Sequence, residues 1–169
     1  MKKALLIAAR VLLIVAIICT LSFAFYQSSL PPTESNEVSG GVSGALEVII
    51  PSDTPVGEKV HENIREIAHY TEFFTLGFFV ALYCVLVSTA MIGLSKVKLI
   101  FVFSSLPFGT VCAFIDEFIQ FFSSRSPDIK DVLVDTVGYF SSLAIIYVLY
   151  FAIFLVLNLI ARQKDKHRD

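Results

Sequence analysis

Residues Phe114 to Gly138 read F-I-D-E-F-I-Q-F-F-S-S-R-S-P-D-I-K-D-V-L-V-D-T-V-G and lie between two of the longest apolar runs of the chain. Ionisable side chains are costly in such surroundings, because a lone Asp, Lys or Arg at the centre of a membrane helix costs roughly 2.5–3.5 kcal/mol on insertion scales. The acids of this segment therefore need partners from other parts of the chain. These acids are Asp116, Glu117, Asp131 and Asp135.

The composition around this segment is that of an integral membrane protein. Of the 169 residues, 56% are hydrophobic and only 17% are charged, which excludes an ordinary soluble domain. A helix needs about 20 apolar residues to cross the hydrocarbon core of a bilayer, and four segments reach that length. We therefore predict an all-α fold, an integral membrane bundle of four transmembrane helices. The predicted crossings are roughly Ala4–Tyr26, Ala68–Ile92, Leu99–Phe122 and Val132–Ala161.

The rest of the chain divides around these crossings. Lys2 and Lys3 precede the first apolar run, which is longer than the apolar core of a signal peptide and is therefore predicted to be retained. A segment rich in Pro, Gly and Ser follows and predicts an exposed loop with little regular structure, and helical spacing resumes from about Glu58. The predicted units are a first transmembrane helix (1–26), an extracytoplasmic loop (27–57), a three-helix membrane region (58–161) and a cytoplasmic tail (162–169).

Basic residues set the predicted orientation. Lys and Arg concentrate at the N-terminus, in a turn with Lys96 and Lys98, and in the tail that begins at Arg162. Because cytoplasmic loops carry the excess of positive charge, both termini are predicted to be cytoplasmic. The chain is thus expected to be a multi-pass protein with its N-terminus and C-terminus inside.

This orientation brings polar residues from three helices to the same membrane face. The second helix contributes three of them at i, i+4 and i+7, and the third contributes three near its outer end. The start of the fourth contributes acids at i, i+3 and i+7 and a glycine at i+10. Two arginines are the expected counter-ions, Arg65 and Arg125. The polar residues are Arg65, His69 and Glu72; Asp116, Glu117 and Gln120; and Asp128, Asp131, Asp135 and Gly138.

Each part of this constellation also has a simpler structural explanation. Asp128 can cap the fourth helix, with Ser126 and Pro127 forming the turn before it. His69 can be a hydrogen-bonded interface residue, and the acids of the third crossing can form a network that only locks the helices together. Ionisable residues inside a membrane are nevertheless functional candidates by default, either for acid–base chemistry or for binding a polar headgroup. The residues alone leave these alternatives open.

At these positions the sequence resembles the VanZ-like family of small bacterial membrane proteins. Two segments carry the resemblance, R-E-I-A-H-Y-T-E-F-F-T-L-G from Arg65 to Gly77 and the segment from Asp116 to Gly138. The positions of the family pattern on this chain are Arg65, His69, Glu72, Asp116, Glu117, Gln120, Arg125, Asp128, Asp131, Asp135 and Gly138. Three positions depart from the family pattern, since Tyr70 stands for a usual Phe, Phe73 for a usual Tyr and Asp135 for a usual Asn. At the last of these, an acid that needs a partner or a proton replaces a neutral amide.

The resemblance implies a protein of the bacterial cytoplasmic membrane that is connected with the cell envelope. The family takes its name from a protein associated with reduced susceptibility to teicoplanin, a lipid-tailed glycopeptide antibiotic. Our leading expectation is an outward-facing polar site that engages a membrane lipid, a cell-wall precursor or a lipoglycopeptide without turnover. Glu117, Gln120 and Arg125 would orient the ligand, with His69 and Asp116 as its nearest neighbours.

Two other functions remain open. One is a membrane-embedded enzyme acting on a lipid or a lipid-linked cell-wall precursor, with His69 or Glu117 as general base, although the sequence has no nucleophile elbow, H-E-x-x-H motif or phosphate loop. The other is a structural subunit that binds a partner through Ser141, Ser142 and Ala144, predicted to face lipid. The enzyme could hold a metal through His69 and the acids, but a lone His with carboxylates is a weak metal motif. We therefore expect no metal and no cofactor. We also expect no nucleic-acid partner. The oligomeric state is not predicted.

Overall fold

The protein is all-helical in a computed structural model, which describes residues 2–92, 99–123 and 128–166. No strand occurs among these residues, so the predicted all-α fold is confirmed. The helices are α1 (Lys2–Ser29), α2 (Pro32–Glu47), α3 (Pro55–Glu62), α4 (Ile64–Ile92), α5 (Leu99–Phe122) and α6 (Ile129–Lys166).

The three helices α4, α5 and α6 pack together around the core, and α1 packs against α4 and α5. Tyr139 of α6 lies fully buried in this core, and its hydroxyl donates a 2.8 Å hydrogen bond to the carbonyl of Ser105 in α5. Phe73 and Leu76 of α4 pack into the same core. One turn before Tyr139 on α6, the apolar core gives way to the buried carboxylate of Asp135.

Glycines let α4 and α6 approach until their backbones touch. A Cβ atom at Gly138 of α6 would collide with the backbone carbonyl of Tyr70 in α4. A Cβ atom at Gly77 of α4 would collide with the Ser142 hydroxyl and the Tyr139 carbonyl of α6. The sequence singled out Gly138 by its place in the acidic stripe, and its structural role is this close approach.

Three helices are long and apolar enough to cross a membrane, over Lys3–Ser29, Ile64–Ser88 and Ile129–Ala161. They indicate a membrane protein, and α1 and α6 leave many large apolar side chains exposed. The prediction of four such helices is not met over the described residues, where α5 is not among the three. Polar side chains of α5 point into the bundle. These are Asp116, Glu117 and Gln120.

The prediction of a loop with little regular structure over residues 27–57 is wrong. The helix α2 occupies Pro32–Glu47, and α3 begins at Pro55. Each helix has Pro in its first turn, where the missing N–H is not needed. The Thr54 side chain caps α3 by accepting a 3.0 Å hydrogen bond from the N–H of Gly57. The prolines that suggested a loop therefore mark the starts of two helices.

Contacts between α2 and α3 hold this segment in place. The Nε2 atom of His61 lies 3.1 Å from Oε2 of Glu47. The backbone N–H and the hydroxyl of Ser52 donate to Oε1 of Glu47 at 3.0 and 2.9 Å. These two hydrogen bonds hold the pKa of Glu47 below its usual value. A break at Asn63 separates α3 from α4, so the helix predicted to run from about Glu58 into the second crossing is two helices.

We expect Gly138→Ala to destabilise the bundle, because the added methyl group meets a backbone carbonyl that cannot rotate away. Overpacking of this kind costs roughly 1–3 kcal/mol. Gly44→Ala in α2 is the matched control, since its Cβ would meet nothing within 4 Å, and Ala favours a helix over Gly by about 1 kcal/mol. The chain has no Trp, so thermal unfolding in detergent is followed by circular dichroism. Equal unfolding temperatures for Gly138→Ala and wild type would contradict the close approach.

Candidate functional site

Polar side chains of α4, α5 and α6 meet at one end of the bundle. We call this group the polar cluster, and its most buried acids are Asp116 and Asp135, with 1% and 0% of their surface exposed. Of the other predicted site residues, Glu72 and Asp128 lie at its edge, and Arg125 falls outside the described residues. The polar cluster consists of Arg65, His69, Asp116, Glu117, Gln120, Asp131 and Asp135.

Arg65 connects the three helices at the rim of the polar cluster. Its Nη2 atom donates to Oε1 of Gln120 on α5 and to Oδ2 of Asp131 on α6, both at 2.8 Å. The predicted pairing of Arg65 with the acids is therefore present. Because 45% of the Arg65 side chain is exposed, water screens this ion pair and its contribution to stability is modest.

Asp116 is held by two hydrogen bonds on a single oxygen. The hydroxyl of Ser28 in α1 donates to Oδ2 at 2.7 Å, and Nε2 of Gln120 donates to the same atom at 3.2 Å. The other oxygen, Oδ1, is buried and has no hydrogen-bond partner among the described residues. Ser28 was missed from the sequence, because one Ser at the end of an apolar helix has no periodic pattern to distinguish it.

His69 lies between the two buried aspartates. Its Nδ1 atom is 3.2 Å from Oδ1 of Asp135 and 3.9 Å from Oδ2 of Asp116. Neither approach has the geometry of a hydrogen bond, so this nitrogen and both oxygens of Asp135 are unpartnered within the described part of the chain. The structure thus places an imidazole and two carboxylates together and leaves several of their polar atoms without the hydrogen bonds that would satisfy them.

Glu117 and Asp128 meet at the start of α6. Asp128 accepts a 2.9 Å hydrogen bond from the N–H of Lys130 on Oδ1, which confirms its predicted capping role. Its own N–H donates to Oε1 of Glu117. The second oxygen of Glu117, Oε2, is buried without a partner among the described residues. Glu117 therefore belongs to the polar cluster, whereas the exposed Asp128 caps the helix beside it.

A cavity of about 390 Å³ lies between α1, α2 and α4. Arg65, His69 and Glu72 contribute to its lining, so the predicted stripe on α4 reaches both the polar cluster and the cavity. The remaining lining is mainly apolar. Its large apolar members are Phe23, Leu30, Val42, Leu46, Ile64 and Ile67. This combination of a polar wall and apolar walls suits an amphiphilic ligand better than a small polar one.

The predicted lipid-facing stripe on α6 is largely wrong. Ser142 is fully buried, and its hydroxyl donates to the carbonyl of Tyr139 at 2.9 Å. Ser141 shares a 2.9 Å hydrogen bond with the hydroxyl of Tyr70, the residue that replaces a usual Phe. Only Ala144 of the three is exposed. The three small residues were expected to meet an outside partner, but Ser141 and Ser142 lie against α4 instead.

Ser28→Ala is expected to destabilise the protein by roughly 1–3 kcal/mol, because it removes a buried donor from Asp116. The adjacent Ser29→Ala is the matched control, since the Ser29 hydroxyl is exposed and donates only to the Tyr26 carbonyl three residues earlier. A surface change of this kind alters stability by about 0.5 kcal/mol or less. Thermal unfolding of both variants in the same detergent distinguishes them. If Ser29→Ala lost as much stability as Ser28→Ala, the role of Ser28 as a buried hydrogen-bond donor to Asp116 would be refuted.

Comparison with known proteins places most of the chain in one family. No curated protein and no solved structure matches the chain. A family model described as VanZ/LLP1 matches residues 13–156, which is most of the 169-residue chain and includes every residue of the polar cluster. The resemblance predicted from the two motif segments is confirmed, and the chain belongs to the VanZ/LLP1 family.

Proposed function

We propose that this chain is a VanZ-like protein of a bacterial cytoplasmic membrane whose polar cluster faces outward and engages the head of an envelope amphiphile. In this role it modulates envelope properties or susceptibility to glycopeptide antibiotics of the teicoplanin type. The observation that carries the proposal is the cavity of about 390 Å³, in which Arg65, His69 and Glu72 share the lining with apolar side chains. Ligand sites commonly have volumes of about 300–1,000 Å³ and a few polar groups in an apolar wall.

The proposed topology has four crossings, with both termini in the cytoplasm. The distribution of Lys and Arg supports this orientation. A crossing by α5 is supported by its two faces, since its acids are buried in the bundle while Phe114, Phe118 and Phe121 are exposed. In this topology residues 27–57, with α2 and the start of α3, form the outer segment beside the polar cluster, and residues 162–169 form the cytoplasmic tail.

Charge and shape together favour an acidic amphiphile. The partly exposed guanidinium of Arg65 suits a phosphate or carboxylate oxygen. Phe23 of α1 and Val42 and Leu46 of α2 provide an apolar surface for an acyl chain. A membrane lipid, a lipid-linked cell-wall precursor and a lipoglycopeptide all have both parts.

A membrane-embedded enzyme is the second candidate. The observation that favours it is the 3.2 Å approach of His69 Nδ1 to Oδ1 of Asp135, because an imidazole beside a carboxylate can act as a general base. Its substrate would be a lipid or a lipid-linked cell-wall precursor bound in the cavity. Turnover of such a lipid by the purified protein, lost in His69→Gln, would favour this candidate over a binding role.

The proposal predicts that the chain protects a susceptible Gram-positive host more strongly against teicoplanin than against vancomycin. We expect Glu117→Gln to return the inhibitory concentration to that of the empty vector, because it neutralises a buried acid of the polar cluster. Glu66→Gln, an exposed position beside Arg65, is the matched control and should protect like wild type. All proteins are compared at equal membrane levels. Absence of protection by wild type, or full protection by Glu117→Gln, would refute the proposal.

Filling the cavity tests the role of its apolar wall. Val42→Trp places an indole ring in the cavity from α2 and should abolish protection without lowering the unfolding temperature. Val48→Trp is the control, because Val48 is 86% exposed and does not line the cavity. The readouts are the inhibitory concentration for teicoplanin and thermal unfolding of each variant. Equal protection by the two variants would show that the cavity does not receive the ligand.

A further inference from the structure

Three buried side chains of the polar cluster form a compact group with one member on each of the helices α4, α5 and α6. They are His69, Asp116 and Asp135, and one nitrogen or oxygen atom of each lies within 4.8 Å of the others. His69 is 6% exposed, and the two aspartates are 1% and 0% exposed. Within the described residues, the three side chains are therefore almost completely removed from bulk water.

Four buried atoms of this group have no hydrogen-bond partners within the described residues. They are Nδ1 of His69, Oδ1 of Asp116, and Oδ1 and Oδ2 of Asp135. A buried polar atom without a partner costs about 1–3 kcal/mol, and a buried ionised carboxylate costs more. Protonation or a bound cation would remove this cost. A single metal cation can bind the nitrogen and the oxygens at the same time.

The distances suit a metal ion. Zinc binds His nitrogen and carboxylate oxygen at about 2.0–2.2 Å, so ligand atoms around a tetrahedral ion lie about 3.3 Å apart. The Nδ1 atom of His69 lies 3.2 Å from Oδ1 of Asp135 and 3.9 Å from Oδ2 of Asp116. The nearest ligand atoms of all three residues lie within 4.8 Å of one another, so ion binding requires them to move closer together.

Hydrogen bonds from neighbouring side chains orient the Asp116 carboxylate, as is usual for carboxylates that bind metals. Hydrogen bonds from Ser28 and Gln120 reach Oδ2, while Oδ1 remains available. Gln120 is fixed in turn by Arg65, which donates to its Oε1 at 2.8 Å. Outer hydrogen bonds of this type orient metal ligands and typically change metal affinity by about 10–100-fold.

We infer that His69, Asp116 and Asp135 bind one divalent transition-metal ion between α4, α5 and α6. Imidazole favours zinc and its neighbours over magnesium and calcium, and the two carboxylates also accept manganese. The sequence predicted no metal, because one His with scattered acids has no motif spacing. The inference goes beyond the proposed function, since it concerns the occupancy of the polar cluster and holds for a binding protein and for an enzyme.

Metal binding is tested on the full chain in detergent, purified through a tag without histidine and stripped with a chelator. After incubation with Zn²⁺ or Mn²⁺ and desalting, the bound metal is counted by mass spectrometry. We expect one ion per chain for wild type. His69→Ala and Asp135→Asn should each weaken binding about tenfold or more. Mg²⁺ at the same concentration should not compete.

His61→Ala is the matched control, because His61 also contacts a carboxylate, Glu47, at 3.1 Å. This variant should bind metal like wild type. Loss of the ion in His61→Ala, or equal binding by wild type, His69→Ala and Asp135→Asn, would place the ion elsewhere and overturn the inference.

A second measurement does not require the variants to fold. Wild type loaded with Co²⁺ should show visible absorption bands of a nitrogen- and oxygen-ligated ion, and Zn²⁺ should remove them. The inference would be overturned if wild type showed no such bands and bound neither Zn²⁺ nor Mn²⁺. Protons would then be the species that neutralises the buried aspartates. Protection against teicoplanin without metal binding would refute only the metal site. Metal binding without protection would refute only the proposed function.

Discussion

Two carboxylates removed from water are the constraint on which the rest of the structure depends. Asp116 on α5 and Asp135 on α6 are almost fully buried, and an ionised carboxylate transferred to such surroundings costs several kcal/mol unless it is compensated. Neighbouring helices supply part of the compensation. Ser28 of α1 donates to Asp116, His69 of α4 lies beside both acids, and Arg65 of α4 reaches the residues around them. The packing of α1 and α4 against α5 thus serves the acids as well as the apolar core.

The small residues of the bundle also help to stabilise the buried carboxylates, because they let the helices pack closely. Polar contacts of about 3 Å between side chains as short as Asp and His need helices whose backbones nearly touch. Gly138 permits this close approach of α4 and α6, because its backbone packs against the Tyr70 carbonyl. It lies about one turn after Asp135 on α6. A larger residue there would lengthen the 3.2 Å separation of His69 Nδ1 from Asp135 Oδ1. The VanZ-like motif is therefore one physical unit, in which the glycine sets the distance across which the polar residues interact.

Helical periodicity was sufficient to predict the all-α fold and the buried stripes on α4 and α6, because spacing alone fixes which residues share a helix face. Contacts between distant parts of the chain were not predictable in this way. Ser28 lies 88 residues from Asp116, and nothing in its own segment indicates that partner. Ser142 was placed toward lipid, since small residues suit an outer contact and a buried helix interface equally well. Pro32 suggested a loop because Pro is compatible with a loop and with the first turn of a helix.

The buried acids of α5 have a consequence for how the protein is made. If α5 crosses the bilayer as proposed, its acids oppose release from the translocon into lipid as a single helix. The chain supplies α1 and α4 first, so Ser28, Arg65 and His69 are synthesised before Asp116. Asp135 follows on α6, after the histidine that lies beside it. Each buried acid is thus synthesised after the polar groups that lie next to it in the folded bundle.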